Sequence, residues 1–514
     1  MKMAYLKRAG AALLLWAALP RLLPAAPLPD FREETIYLVL TDRFADGDPA
    51  NNNIYGDEYA PGNLRYYQGG DFKGLIENLD YIKNMGFTAL WITPPVMQPP
   101  GRYVNSSRTY DAAGYHGYWA WDFSKIDPHL ESAGAAYKDL IAAAHAKGLK
   151  VIQDIVLNHG HGGDTAPDVK WHSRRGQLSG LGRTFDYYDD KENWFNHKGP
   201  ALADLLDLND QNPEVLKWYT AIYRGYQALG VDAFRLDTVG WMPPKFWQEF
   251  TAAMHQSKKD FFIFGEIWTN DDYKLLGSYT RLARGNPMRA GMSVMDMPGS
   301  SMGGWGNLEK VFKGGSYAAV DELLSHDGAY QDPTWLVTFL DNHDKPRFNG
   351  EGGGTPATAE QYADALNFYF TARGIPCIYY GTELMMPGGD DPDNRRMLGA
   401  EGLKRAPAGP VYRRLAELNA LRRASPALQK GAQKKLYSQK DQYVFRRAYG
   451  GSVAYVFLNK ADYPAKLTVP GVPDGVYAEL TAGGRVTVKG GASVEVPPHG
   501  LRVLAGGKGA ASGN

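Results

Sequence analysis

Between residues 34 and 415, short β-branched or aromatic runs alternate with longer amphipathic stretches, and this alternation limits the possible folds more than any other feature. The runs are TIYLVL (35–40), FTALWI (87–92), KVIQDIV (150–156), VDAFRL (231–236), FFIFGE (261–266), VTFLD (337–341) and PCIYY (376–380). Segments such as YKDLIAAAHAKG (137–148) and EVLKWYTAIYRGYQALG (214–230) lie between them. A strand that is apolar along its whole length must be covered on both faces, which implies a parallel sheet wrapped by helices. Eight such units would close a (β/α)8 TIM barrel. Seven are readily placed, and the missing sixth falls near MSVMDM (292–297), the least strand-like of the set. The expected class is α/β.

Three further regions flank or interrupt this pattern. Residues 159–207, after the third strand, are rich in Gly, Asp and His and lack helical periodicity. A loop of that length is normally functional or forms a small subdomain. After VYRRLAELNALRRAS a boundary is expected near residue 418, and the catalytic barrel is assigned to 30–418. Residues 419–507 then read as short strands with turn signals, hence an antiparallel β-sandwich domain of six to eight strands. The tail, 508–514, reads as disordered. Residues 1–26 combine a basic start, the apolar run AGAALLLWAALP and small residues, the pattern of a cleaved export signal. An uncleaved anchor is the alternative, although the run is short for a spanning helix of about 20 residues. The mature protein is expected to be secreted or periplasmic, monomeric and free of the membrane.

Lys plus Arg and Asp plus Glu balance at 56 each, so net charge makes no case for a nucleic-acid partner. The single cysteine, Cys377, excludes an intrachain disulfide and sits in the apolar stretch IPCIYY. The chain carries 32 Tyr and 12 Trp, whose flat amphipathic faces suit sugar rings as well as core packing.

Candidate chemistry gathers where strands meet loops, the catalytic end of such a barrel. GVDAFRLD (230–237), FGEIW (264–268) and TFLDNHD (338–344) offer Asp237, Glu266 and Asp344. Cleaving a glycosidic bond with retention requires a carboxylate nucleophile and a carboxylic acid about 5–5.5 Å apart. Arg235, permanently cationic, lies two residues before Asp237 and would keep it ionised. DGDPANNN (46–53) and GGD (69–71) cluster hard oxygen donors in turns.

The blocks DIVLNH (154–159), RLD (235–237), GE (265–266) and DNHD (341–344) resemble the four signature regions of glycoside hydrolase family 13, the α-amylase family, in the right order. GFTALWITPP (86–95) and GIPCIYYGTEL (374–384) resemble two further signatures. The resemblance implies Asp237 as nucleophile, Glu266 as acid and base, and Asp344 as the group that binds sugar hydroxyls and distorts the ring. It implies substrate contacts from His159 and His343, from His116 and Tyr118 in YHGYWAWDF (115–123), and from Asp391 and Arg395 in DDPDNRR (390–396). The partner would be an α-glucan, starch or maltooligosaccharide.

Within the family the chain looks most like cyclodextrin glucanotransferases and related bacterial amylases, in which a similar loop binds calcium. That likeness implies a Ca²⁺ site on Asp46, Asp48, Asn51, Asn52, Gly69 and Asp71, and a second involving Asn158 and Asp207. Three departures argue against cyclisation. One β domain follows the barrel where those enzymes usually carry two more. Their chain-curling aromatic, counted back from Asp207, falls on Ala203. Their Lys-His pair after the nucleophile is Gly240-Trp241 here, which loses a cation and gains an aromatic at the acceptor side. Trp268 is expected to contact substrate and, with Phe264 and Ile267, to give Glu266 apolar surroundings. The expected activity is therefore endo-acting retaining α-amylase hydrolysis. The open alternatives are a 4-α-glucanotransferase or maltooligosaccharide-forming transglycosylase, a cyclodextrin-forming enzyme, a sucrose- or trehalose-directed enzyme, and a non-catalytic glucan-binding protein.

Overall fold

The computed structural model describes residues 30–198, 202–269, 272–281, 291–300, 308–350 and 356–507. Residues 1–26, read above as an export signal, and the tail 508–514 lie outside the described residues. Among the described residues no helix is long and apolar enough to cross a membrane.

All seven expected barrel strands form: β1 (Ile36–Val39), β2 (Ala89–Ile92), β3 (Lys150–Ile155), β4 (Ala233–Leu236), β5 (Phe262–Gly265), β7 (Val337–Phe339) and β8 (Ile375–Tyr379). The sixth, β6 (Ser293–Val294), lies within the weak segment and is only two residues long. The strands pair in parallel around the ring, from Cys377 against Ile36 through Ile36 against Ala89 to Phe264 against Ser293. A bridge between Met295 and Val337 joins the two ends, with the Asp296 N–H donating to the Val337 carbonyl at 2.8 Å. The barrel is closed, and closure leaves no sheet edge to protect.

The outer helices follow from ordinary end signals. In Pro213–Leu229 the Asn212 side chain caps the Glu214 N–H, Pro213 pre-sets the first turn, and Gly230 at φ 120° ends the helix. Val215, Trp218, Tyr219, Ile222, Tyr223 and Tyr226 form its buried face, at the spacing of one helical side.

The loop subdomain is broader than 159–207. Its four-stranded sheet takes Val96–Met97 and Asp122–Ile126 from the loop after β2, together with Gln177–Gly180 and Arg183–Asp186 from the loop after β3. Period-2 pieces this short carry no readable signal on their own, so their pairing emerges only in three dimensions.

The domain boundary also moves. The last barrel helix runs Pro410–Arg423 and a short helix, Pro426–Lys430, follows it, so a break at 418 would cut through a helix. Leu418, Leu421 and Arg422 continue its buried face, and the change to strands comes at about residue 431. Beyond it lie β9 (Ala432–Ser438), β10 (Gln442–Tyr449), β11 (Ser452–Asn459), β12 (Ala465–Val469), β13 (Gly475–Glu479), β14 (Arg485–Val488), β15 (Ala492–Val496) and β16 (Gly500–Gly507). Six of these strands form an antiparallel sheet in the order β9-β10-β11-β16-β13-β14, and β12 pairs with β15. Phe457, Leu467, Val494 and Leu504 fill the space within this domain. Tyr443, Phe445, Val456 and Val503 face the other way and join the barrel core.

The two domains are tied together at the turn 370–374 ahead of β8. Arg447 of β10 donates to the Thr371 carbonyl at 2.6 Å, to the Ala372 carbonyl, and to the Gly431 carbonyl at 2.8 Å. Arg422 reaches the Gly374 carbonyl at 2.7 Å, and Gln433 accepts the Arg373 N–H at 2.8 Å. Arg447→Ala would leave buried carbonyls without donors, and is expected to destabilise by on the order of 3 kcal/mol. A denaturant midpoint unchanged by this substitution would show that the clamp is dispensable.

Candidate active site

Strand register brings the carboxylates together. Arg235 pairs in register with Asp154 on β3 and with Phe264 on β5. Asp237 and Glu266 each lie two residues further on, at the same level on neighbouring strands. Adjacent strands run about 4.8 Å apart, close to the separation retaining cleavage requires. Asp237 and Glu266 stand one residue beyond the ends of β4 and β5, where side chains reach the barrel mouth. Two backbone features hold this corner. A Cβ on Gly265 would meet the Val239 side chain at 2.7 Å, so only glycine fits before Glu266. Thr238 sits at φ 51°, a left-handed conformation that costs about 1–3 kcal/mol and turns the chain sharply after Asp237.

Arg235 is fully buried and touches three acids. Its Nη1 donates to Asp237 Oδ1 at 2.8 Å and to Asp154 Oδ1 at 3.0 Å, and its Nη2 lies 2.8 Å from Glu266 Oε1. Burial pulls the guanidinium pKa down, but Asp154, Glu266, Tyr118 and Asp237 more than reverse this. Burial pushes Glu266 up to about 8; Arg235 opposes that shift, while Asp237, Asp344 and Asp154 reinforce it. Glu266 is therefore protonated at neutral pH, as a general acid must be. Burial also raises the Asp344 carboxyl, yet His343, Arg395 and Arg235 outweigh it and leave Asp344 below its usual range. Burial pushes His343 down to about 3, so that imidazole is neutral at pH 7.

The predicted sugar contacts assemble around these acids. His116, Tyr118, His159, Asp237, Glu266, Trp268, His343, Asp344, Asp391 and Arg395 line one cleft of about 320 Å³. Burial lowers the pKa of His116 and of His159, so both present neutral rings. His116 Nδ1 accepts the Tyr118 N–H at 3.0 Å, which leaves its Nε2–H to donate. The Tyr118 hydroxyl donates to Asp154 Oδ2 at 2.8 Å, so the 2.7 Å contact with His343 Nε2 must use a proton on the imidazole. Arg395 bridges Asp344 at 3.2 Å and Asp391 at 3.1 Å. Trp268, 53% exposed, lines the cleft, whereas Trp241, 47% exposed and also expected to touch substrate, is not among the residues that line it.

Asp154 escaped the sequence reading although it opens the DIVLNH block. Burial pushes its carboxyl up to about 7, and Trp91 Nε1 donates to it at 3.1 Å. A charged residue inside the strand-like run VIQDIV was the available signal. A second cavity, of about 620 Å³, also went unforeseen. Tyr103, Tyr110, Trp119 and His161 line it, with Asp164, Ala203 and Asp204. It shares Tyr110, Trp119, Ala203 and Leu205 with the catalytic cleft, so the two are neighbours across one wall.

The two oxygen-rich loops are formed by backbone and amide groups more than by charge. Among the described residues no group of three or more His, Cys, Asp or Glu side chains is placed to hold a metal. Asn52 donates to Asp46 at 2.8 Å, and Asp71 accepts from the Gly47, Asp48 and Gly74 N–H groups and from Asn51. The side-chain oxygens of Asn51 and Asn52 are buried without a hydrogen-bond partner. A Cβ on Gly69 would lie 2.7 Å from the Asn52 oxygen. Near β3, His159 pairs with Asp207, which brings Asn158 close to it; burial raises Asp207 to about 6, and Asn196 donates to it at 3.0 Å.

A family model described as the α-amylase catalytic domain matches residues 38–404. A β/α-amylase of Paenibacillus polymyxa is 34% identical over 90% of this chain, which spans 36% of that protein. An α-amylase of Niallia circulans is 32% identical over 88% of this chain and 86% of its own length. A solved cyclomaltodextrin glucanotransferase with a three-domain ABC distribution superposes with a TM-score of 0.79 at 30% identity, over 92% of this chain and 99% of that one. With its carboxylates at the ends of barrel strands and a match across most of its length, the chain belongs to the α-amylase family of glycoside hydrolases.

Proposed function

We propose that the protein is an endo-acting retaining α-amylase that hydrolyses α-1,4-glucosidic bonds in starch and maltooligosaccharides. The observation that carries this reading is the pair Asp237 and Glu266, held level on adjacent strands by one buried arginine. Asp237 attacks the anomeric carbon while protonated Glu266 gives its proton to the departing oxygen. Glu266, now ionised, then takes a proton from water, which attacks the same carbon and releases Asp237. Asp344 and Arg395, with the neutral His116, His159 and His343, hold the sugar at the cut. The 620 Å³ cavity beside the cleft supports a long glucan as substrate.

Transfer to a second sugar is the other reading, because a sugar hydroxyl competes with water for the same intermediate. Domain count does not separate the two, since a glucanotransferase of the same three-domain reach has been solved. The weight falls on Ala203, which borders both cavities and has no ring for a glucan to curl round.

Calcium is proposed at Asp46, Asp48, Asn51, Asn52, Gly69 and Asp71, where the unpartnered amide oxygens suit a hard cation. Asn158 and Asp207 would hold a second ion. Bound there, calcium would pin the loop subdomain to the barrel. Export is proposed from the residue pattern of 1–26.

Asp237→Asn is expected to lower kcat on maltoheptaose by roughly four orders of magnitude or more with an unchanged melting temperature. In the wild type, kcat/KM should fall as pH rises through about 8, where Glu266 loses its proton. Glu266→Gln should remove that limb and spare activated aryl glycosides more than starch. Dialysis against EDTA should lower the melting temperature, with Ca²⁺ restoring it and Mg²⁺ failing to; an unmoved melting curve would refute the calcium assignment.

A further inference from the structure

The geometry points to Lys345 as the acceptor-side residue that sets how much glycosyl transfer competes with hydrolysis, an inference that rests on the proposed function. Trp268 stands two residues after the acid Glu266, lines the cleft beside it, and is half exposed. It therefore flanks the side from which the leaving group departs and the acceptor arrives. Lys345 follows Asp344, and its Nζ lies 4.8 Å from the centre of the Trp268 ring. Replacement of a Lys-His pair by Gly240-Trp241 implied that the acceptor side had lost its cation. The fold returns a cation from another strand end, after β7.

Among the described residues no carboxylate forms an ion pair with Lys345, while Arg395 and His343 occupy the neighbouring Asp344. A cation over a half-exposed ring is held weakly. An acceptor sugar stacking on Trp268 would displace the ammonium from the ring face and receive hydrogen bonds from its three N–H groups. Water, which cannot stack, gains nothing from this exchange. In the transfer step an acceptor hydroxyl oxygen attacks the anomeric carbon of the glycosyl-Asp237 ester. The C–O bond to Asp237 breaks, Asp237 leaves as a carboxylate, and the hydroxyl proton passes to ionised Glu266. Lys345 acts by holding the acceptor for that attack.

The test is the ratio of transfer to hydrolysis on maltoheptaose, taken from products longer than the substrate and from new reducing ends in one reaction. Lys345→Ala should lower this ratio about tenfold, the size of one charge-assisted hydrogen bond, and Lys345→Arg should keep most of it. Lys345→Met, which retains the stem on Trp268 without the charge, should behave like Lys345→Ala. A ratio unchanged in Lys345→Ala, or preserved in Lys345→Met, overturns the inference. So does a wild-type enzyme that cleaves maltoheptaose but makes no longer product. A wild type inactive on every α-glucan overturns the functional reading together with this one.

Discussion

One buried guanidinium organises the catalytic end of this barrel. Arg235 contacts Asp154, Asp237 and Glu266, carried by three consecutive strands or the turns that end them. Three carboxylates this close would repel one another and drive protons onto all of them. The fixed cation permits a division of labour instead: Asp237 stays paired and aimed, while Glu266 keeps its proton. That distribution depends on burial, since the same charges in open water would be screened to little effect. The closed barrel supplies the burial, and the strand register supplies the aim.

The β domain contributes to the same end from a distance. Its Arg447 and Gln433, with Arg422 of the last barrel helix, enclose the turn that leads into β8. Strand β8 lies between β7, which leads into Asp344, and β1. Shifting that turn would disturb both neighbours, because parallel strands share hydrogen bonds along their length. Arg447 gives its hydrogen bonds to carbonyls near the end of the helix Ala359–Thr371, groups a helix cannot satisfy itself.

Much of this was legible in the chain. Strands that are apolar throughout announce a parallel sheet, and acids at their ends stand out because they break an apolar run. Seven strands and the three carboxylates of the cleft, Asp237, Glu266 and Asp344, could be read in that way. The sixth strand was faint because two paired residues need little sequence signal when both neighbours are already placed. Asp154 was hidden inside a recognised block, its role visible only once Arg235 was seen to need a second partner. The subdomain sheet joins 96–126 to 177–186, and no local pattern marks such a distant pairing. The boundary at 418 failed because a helix with a continuous buried face does not end where its composition begins to change.

The sequence by itself determined the type of barrel and which acids stand at its strand ends, because each depends on side-chain type and local spacing. The tertiary structure decided which acid holds a proton, how the oxygen-rich loops place their amide groups, and that a lysine from one strand end covers a tryptophan from another. Those outcomes depend on distance and burial between residues far apart in the chain, which only the closed fold brings into contact.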